Sequence, residues 1–311
     1  SLLRGRPLAF SYYTIDTCHH CGMKHAYLIL AHNEPELLSL LVERLDDVRN
    51  DIYIHFDRKL SILPDIKTQH AGLYILKDRV DVRWADVSML EAEYKLFHAV
   101  VDSGCQYSHH HLISGVDLPL KNQDYIHSFF AQHQGKEFVG LHQRPMNSHA
   151  DRALHYWHPF TRSFRGSGCV FAIKRILRYL VVQTQVLLGI RRNTTIPFHK
   201  GGQWVSITRG LIDYLLEQEE RAFTIFSRTF GADEYFVPTL IWDTPFMERL
   251  FDATDESRGA MRYIGWRADG QLIDFTPQDL PALQQTEYLF ARKFNSRDKV
   301  FLQEILALST P

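Results

Sequence analysis

The chain has 311 residues, which is enough for two average domains or one large α/β domain. Apolar residues make up 45% and charged residues 23%, and the net charge of -1 offers no general attraction for nucleic acid, so a nucleic-acid partner is not expected. Only four cysteines occur, and their scattered positions argue against a disulfide scaffold and favour a reducing compartment.

The amino-terminal segment contains side chains of the types that bind zinc. They are Cys18, His19, His20, Cys21 and His25. A structural zinc site usually needs two separated ligand pairs, and no second cysteine pair follows. The sequence from Met23, MKHAYLIL, is instead typical of a bacterial protein start. We therefore expect residues 1–22 to be a tag or extension and residues 23–311 to form one domain. A small zinc-binding interaction module joined to an α/β domain is the alternative.

Strands and helices alternate over the first 140 residues. Apolar runs predict five strands, at 25–31, 51–57, 73–76, 110–115 and 136–141. A helix follows the first strand, where Asn33 could cap it and Pro35 suits its first turn. Another helix covers 86–104 and closes at Gly104. The alternation predicts an α/β fold with a mostly parallel sheet.

The second half contains shorter predicted elements and one long helix. The short elements are strands at 202–210 and 262–266, with helices at 211–223 and 233–242. The long helix covers 171–190, and Arg178, Gln183 and Gln185 interrupt it, so no membrane span is expected. A helix packed into the core is the favoured interpretation. A helix lying on an anionic membrane surface is the alternative.

Polar residues follow several predicted strands at the edge where α/β sheets bind ligands. His32 and Asn33 close the first strand, Asp57 closes the second, and Asp117 lies just past the fourth. No GxGxxG or phosphate-binding loop motif occurs. Carboxylates at these positions could accept hydrogen bonds from a uracil or a ribose. The coincidence indicates a nucleotide-shaped cleft.

Further charged residues lie in apolar surroundings. Asp233 and Glu234 are adjacent, and helical neighbours point about 100° apart, so only one can face a given site. They could equally be acids favoured by the helix dipole. Arg262 and Lys293 could bind phosphate or could be ordinary surface cations.

Seven segments together resemble one enzyme family. They are YLILAHNEPELL, IYIHFDRK, RWADVSMLEAEYKLF, HHLISGVDLPLKN, QWVSITRG, ADEYFVPTLI and YLFARKF. In this order they resemble the core-2/I-branching family of inverting glycosyltransferases, which includes branching β-1,6-N-acetylglucosaminyltransferases and peptide O-xylosyltransferases. The resemblance covers about residues 24–300. It implies a GT-A-like fold, a UDP-sugar donor and a hydroxyl acceptor.

The resemblance also implies roles for individual residues. It makes Glu234 the catalytic base and makes Arg262 and Lys293 the cations that neutralise the UDP diphosphate. It places His32 and Asp57 at the nucleotide and Asp117 near the donor. Asn33, which follows His32, is a further candidate for donor binding.

The resemblance predicts an inverting transferase that moves N-acetylglucosamine from a UDP-sugar to a glycan or glycolipid hydroxyl. The alternatives are a UDP-xylose-dependent xylosyltransferase and a UDP-sugar-binding protein without activity. The segment FDRK holds a single acid, so cationic side chains are expected to replace a metal ion, and no cofactor is expected. Because the animal members' anchor, stem and many cysteines are missing, we expect a bacterial cytoplasmic enzyme, which could lie at the inner face of the membrane. The poor match over 143–200 leaves the acceptor open.

Overall fold

A computed structural model describes residues 24–163, 166–266 and 272–310. Residues 1–22, the expected tag or extension, lie outside the described residues. The strands are β1 (His25–Ala31), β2 (Asn50–Phe56), β3 (Gly72–Ile75), β4 (His109–Ser114), β5 (Leu118–Pro119), β6 (Ser206–Ile207), β7 (Arg262–Ile264) and β8 (Phe290–Arg292). The α-helices are α1 (Pro35–Leu45), α2 (Ser88–Asp102), α3 (Gln123–Gln132), α4 (Ser148–His155), α5 (Cys169–Leu187), α6 (Arg209–Glu217), α7 (Glu219–Phe226), α8 (Ala232–Ile241), α9 (Glu256–Ala260), α10 (Leu280–Gln285) and α11 (Lys299–Leu308).

The central sheet is mainly parallel, as the sequence predicts. Its strand order is β3-β2-β1-β4-β6, with β1 to β4 parallel and β6 antiparallel to β4. Ala26 and Leu28 of β1 pack with the helices on one face, and Tyr27 and Ile29 pack on the other. Both faces are covered by helices, so the strands are apolar throughout. This is the architecture of a GT-A-like fold.

A second, three-stranded sheet has the order β5-β8-β7. Its first strand, β5, follows β4 closely in the chain. β5 pairs antiparallel with β8 through Leu118 and Ala291. The pairing carries the end of β8 to the carboxyl ends of the central strands. Residues separated by about 175 positions therefore meet there.

Most of the predicted elements appear with shifted ends, but one strand is wrong. Residues 136–141 form isolated bridges from Glu137, Phe138 and Leu141 to three different partners instead of a strand. Glu137 pairs parallel with Leu250, whereas Phe138 and Leu141 pair antiparallel with Ser206 and Gly201, so the bridges do not join into one continuous ladder. The predicted cap is also wrong, because Glu34 and not Asn33 is the N-cap of α1, although Pro35 does begin it.

The core-packed interpretation of 171–190 is wrong as well. In α5 only Val182 and Gln185 are buried, and most of the helix lies on the surface. Among the described residues, no helix is long and apolar enough to cross a membrane.

A polar chain runs through the core beneath the central sheet. Arg262 donates to Ser206 Oγ at 2.8 Å, and His111 Nδ1 lies 2.8 Å from the same oxygen. His111 Nε2 lies 3.0 Å from His25 Nδ1, and the His25 ring stacks on His127 with centroids 4.0 Å apart. Burial lowers the pKa of each of these three histidines, so the rings are neutral at pH 7. The histidines that start β4 are thus core residues.

Candidate active site

The strand-end cluster consists of six charged or ionisable side chains: His32, Asp57, Lys59, Asp117, Arg292 and Lys293. The first three follow β1 and β2. Asp57 is buried and accepts from Lys59 Nζ at 2.6 Å, while Lys59 also pairs with Asp81 at 3.2 Å. Desolvation at the strand end lowers the pKa of His32, Asp57 opposes that change, and the cations Lys293, Lys59 and Arg292 add to it. These effects require all of these charges to lie near the imidazole. Asn33 is exposed beside it.

Arg292 joins the strand-end cluster to the rest of the site. Its Nε donates to the buried Asp117 carboxylate at 3.1 Å, and its guanidinium lies 4.5 Å from the centroid of the Trp204 ring. Ser114 Oγ also donates to Asp117. Arg292 is near enough to Asp233 for its charge to oppose the rise in that residue's pKa. The guanidinium therefore lies between the carboxylates of the β4 end and those of α8.

Arg262 is not placed at this edge as a donor ligand would be. Its side chain is 1% exposed and lies over the Phe290 ring at 4.4 Å. Its guanidinium donates to the Ala260 carbonyl at 3.0 Å and to Ser206 at 2.8 Å. Burial lowers its pKa to about 10, with the Asp117 charge opposing the change. These contacts favour a structural role, and the assignment of Arg262 to a diphosphate stays a prediction that substitution can test.

A cavity of about 990 Å³ is linked to the strand-end cluster through Asp233, which lines the cavity and lies near enough to Arg292 for that charge to affect its pKa. Its walls come from residues 141–150, from the cavity-facing side of α5, from the loop around Lys200 and from the start of α8. The two acids of α8, Asp233 and Glu234, lie in its lining. None of the predicted donor residues lines it, so the site has two compartments with the α8 acids at their junction.

Glu234 is the more exposed of these acids. It lies in the first turn of α8, its side chain is 44% exposed, and Oε2 is 2.9 Å from Lys200 Nζ. Burial acts to lower the pKa of Lys200, but nearby negative charge, that of Glu234 above all, raises it. The backbone N–H of Gly201 donates to the Glu234 carbonyl at 2.8 Å. A Cβ at Gly201 would lie 2.0 Å from the Gly140 carbonyl oxygen, so only glycine allows this approach.

Asp233 has a different environment. Burial raises its pKa to about 7, and the neighbouring Glu234 charge adds to the rise. Among the described residues its Oδ1 finds no hydrogen-bond partner. A carboxyl group with a raised pKa in the lining of a cleft is a candidate functional group. The two neighbours therefore lie in different surroundings, Glu234 paired with Lys200 and Asp233 buried without a partner for Oδ1 among the described residues.

Comparison with known proteins decides the family. The sequence model of the Core-2/I-Branching enzyme family matches residues 25–282. The chain belongs to the core-2/I-branching enzyme family.

Curated relatives of this core-2/I-branching chain include transferases from several animals. A "Probable beta-1,3-galactosyl-O-glycosyl-glycoprotein beta-1,6-N-acetylglucosaminyltransferase 7" of Sus scrofa is 24% identical over 88% of this chain and 65% of its own length. "Xylosyltransferase oxt" of Drosophila melanogaster is 20% identical over 78% of this chain and 28% of its own length. The "Beta-1,3-galactosyl-O-glycosyl-glycoprotein beta-1,6-N-acetylglucosaminyltransferase 4" of Mus musculus is 21% identical over 70% and 46% respectively. The chain thus spans between about a quarter and two thirds of the length of these relatives.

Three site residues of this core-2/I-branching chain were not predicted from its sequence. Lys59 and Arg292 stand within the quoted segments IYIHFDRK and YLFARKF, next to residues that were singled out. Residues two apart in an extended segment point to the same side, and this pattern could have indicated Lys59 from Asp57. Lys200 follows a histidine in an irregular loop and carries no such signal.

Proposed function

We propose that the protein is an inverting glycosyltransferase that moves a sugar, N-acetylglucosamine as first candidate, from a UDP-sugar to a glycan hydroxyl. The observation that carries this proposal is the position of Glu234. Its exposed carboxylate faces a cavity large enough for a saccharide, next to a strand-end cluster rich in cations. Membership in the core-2/I-branching family supports the same reaction class.

Glu234 would act as the general base. The acceptor hydroxyl, held in the cavity, attacks the anomeric carbon of the donor while its proton passes to a Glu234 carboxylate oxygen. The new bond joins the acceptor oxygen to that carbon. The bond from the carbon to the diphosphate oxygen breaks, and its electron pair leaves with UDP. A single displacement inverts the configuration at the anomeric carbon. Lys200 holds the carboxylate in position through the 2.9 Å ion pair.

Side-chain cations would stabilise the departing UDP in place of a metal ion. Arg292 and Lys293 are adjacent at the end of β8, near His32. Positive charge fixed where negative charge develops lowers the barrier. The Asp57 carboxylate is already paired with Lys59 at 2.6 Å, which supports a role in fixing the nucleotide edge rather than in holding a metal ion.

Two donor sugars follow from the relatives. The names of the Sus scrofa and Mus musculus proteins specify N-acetylglucosamine transfer, and the Drosophila melanogaster protein is named a xylosyltransferase. We therefore rank UDP-N-acetylglucosamine first and UDP-xylose second.

A donor screen tests the proposal. The full chain is incubated with a panel of UDP-sugars and a mixture of saccharide acceptors, and released UDP is measured, with Glu234→Gln as the matched control. We expect release from UDP-N-acetylglucosamine by the wild type only. Binding of UDP without release from any donor would instead identify a UDP-sugar-binding protein without activity.

A further inference from the structure

Helix α5 is amphipathic in the reverse of the usual sense. The side chains that face the protein include Lys174, Arg178 and Gln185. The apolar stripe on its outer side consists of Ile173, Ile176, Leu177, Leu180 and Leu187. Leu180 is 52% exposed and Leu187 is 85% exposed. A surface helix in water normally turns its apolar stripe to the core.

The inward polar groups are held by specific contacts, which fixes this orientation. Gln185 donates to the Trp157 carbonyl at 2.9 Å and accepts from the Trp157 N–H at 2.9 Å. Lys174 donates to Ser163 at 3.0 Å. The Arg178 guanidinium lies 4.8 Å from the centroid of the Phe230 ring. Rotating α5 to bury its apolar stripe would break all of these contacts.

The sequence around this helix is rich in cations. Residues 152–212 contain ten lysines and arginines and no aspartate or glutamate, and four of the ten pair with acids from other segments: Arg162, Arg191, Lys200 and Arg209. Arg175 of α5 is exposed. The exposed aromatic side chains of Trp157 and Phe160 lie beside α5. Cations, interfacial aromatics and an outward apolar stripe together match the surface of an anionic bilayer.

The same helix also forms a wall of the cavity. Arg178, Tyr179, Val182 and Gln183 line it, and the Tyr179 side chain is exposed between the cavity and the apolar stripe. A bilayer in contact with the apolar stripe would therefore lie beside the cavity.

We propose that α5 docks on an anionic membrane surface and that the cavity receives a lipid-anchored saccharide from that membrane. The docking stands on the apolar stripe and the cation-rich sequence around it, whereas the acceptor class rests on the proposed function. The exposed Arg175 lies among the apolar side chains of α5, and no acid lies on this helix, which favours an anionic bilayer over an uncharged protein surface. A second copy of the chain would bring two cationic surfaces together, which costs free energy.

Vesicle binding tests the docking. The full chain is sedimented with vesicles of equal parts phosphatidylcholine and phosphatidylglycerol, and with phosphatidylcholine alone. We expect binding to the anionic vesicles that weakens as salt rises. Leu180→Glu should reduce the binding by about tenfold or more. The substitution removes an apolar contact with the bilayer and adds a negative charge that the anionic headgroups repel.

Ile62→Glu is the matched control, since Ile62 is 85% exposed outside α5. It should bind like the wild type, and thermal melts should show both variants folded. Equal losses in the two variants, or no binding to anionic vesicles, would overturn the docking. A wild-type dimer that Leu180→Glu dissociates, together with no vesicle binding, would overturn it in favour of an interface between copies.

The acceptor class is tested by UDP release with methyl and dodecyl glycosides of one sugar in the presence of anionic vesicles. We expect kcat/KM to be about tenfold or more higher for the dodecyl glycoside. Leu180→Glu should remove that advantage and leave the methyl glycoside rate unchanged. Equal rates for both glycosides would overturn the acceptor class and leave the proposed function standing. If neither glycoside causes UDP release and the protein does not bind UDP, the proposed function is wrong. Binding to anionic vesicles would then still support the docking.

Discussion

The strand-end cluster and the cavity are built in contrasting ways. The strand-end cluster is assembled from the ends of β1, β2, β4 and β8, and its charges are paired at short range, as in Asp117 with Arg292 at 3.1 Å. The cavity is walled by loops and by the surface helix α5. A cluster on strand ends suits a constant donor, whereas walls built from loops can change to fit an acceptor. The difference explains why the family motifs fall on one compartment and are sparse in the other.

The largest expected effect is acid unfolding, which would remove both compartments because each depends on the folded chain. Burial lowers the pKa of His55 and His109 to about 4 and that of His110 to about 3. The unfolded chain binds these protons near pH 6.5, and the folded chain does not. Stability is therefore complete above about pH 6.5 and falls towards pH 4, by about 1.4 kcal/mol per unit for each histidine.

Denaturant titrations between pH 7.5 and about 4.5 measure this loss. UDP binding should be lost, and the tryptophan emission should shift, over the same pH range. Stability that stays constant down to pH 4.5 would contradict the burial of neutral histidines in the sheet.

Next in size is the loss of the base at the junction of the compartments. Glu234→Gln removes the proton acceptor and should reduce turnover by about 10²-fold or more while UDP binding persists. Asp233→Asn should have a smaller effect on turnover, because burial raises its pKa to about 7 and holds much of it protonated near neutrality. Single-turnover transfer assays on both variants compare them. A larger loss in Asp233→Asn would reassign the base.

Cation substitutions separate ligands of the donor from supports of the fold. Arg292→Ala and Lys293→Ala should weaken UDP binding by about 1.5–3 kcal/mol, the scale of a hydrogen bond to a charged group. Arg292→Lys should recover part of the UDP affinity, because lysine keeps the positive charge but lacks the two parallel N–H donors of the guanidinium.

The buried Arg262 sharpens this test. Arg262→Ala should lower the free energy of unfolding by about 1–3 kcal/mol, since it leaves buried carbonyls unsatisfied, with UDP affinity largely retained. The exposed Arg258 provides a neutral control through Arg258→Ala. Calorimetric titration and denaturant melts give the two quantities. A folded Arg262→Ala protein that has lost UDP affinity would restore Arg262 as a diphosphate ligand.

The smallest expected effect is that of metal removal. If Arg292 and Lys293 neutralise the leaving group, UDP release should be unchanged in excess EDTA and should not rise with manganese. Initial rates under the two conditions give the answer. Collapse in EDTA with rescue by manganese would assign a metal to Asp57 or Asp117 instead.

Parts of the fold could be predicted because strands buried on both faces leave continuous apolar runs. The runs at 25–31 and 51–57 are of this kind, and β1 and β2 match them within one residue. The run at 136–141 looks alike in sequence, yet its bridges are isolated and change from a parallel to an antiparallel partner, and no local pattern encodes that. The spacing of apolar residues likewise predicts a helix at 171–190, but it does not show whether the apolar side contacts the protein core or lies on the surface.

The candidate site divides along similar lines. His32, Asp57 and Asp117 follow strands, so their convergence could be expected from parallel topology. Arg262 begins the short β7, and its inward direction depends on pairing with β8, which the sequence does not reveal. Lys200 pairs with Glu234 from a loop whose next residue, Gly201, packs closely against Gly140, and the sequence alone does not reveal this contact.

The polar chain in the core has a further consequence. Each neutral imidazole has one nitrogen that donates and one that accepts. His111 lies between Ser206 and His25, so the tautomer of either ring dictates that of the other. Arg262 can only donate, and it occupies one acceptor position of the Ser206 hydroxyl. The Ser206 proton and the two imidazole protons therefore share one direction, and reversing any of them reverses the whole relay.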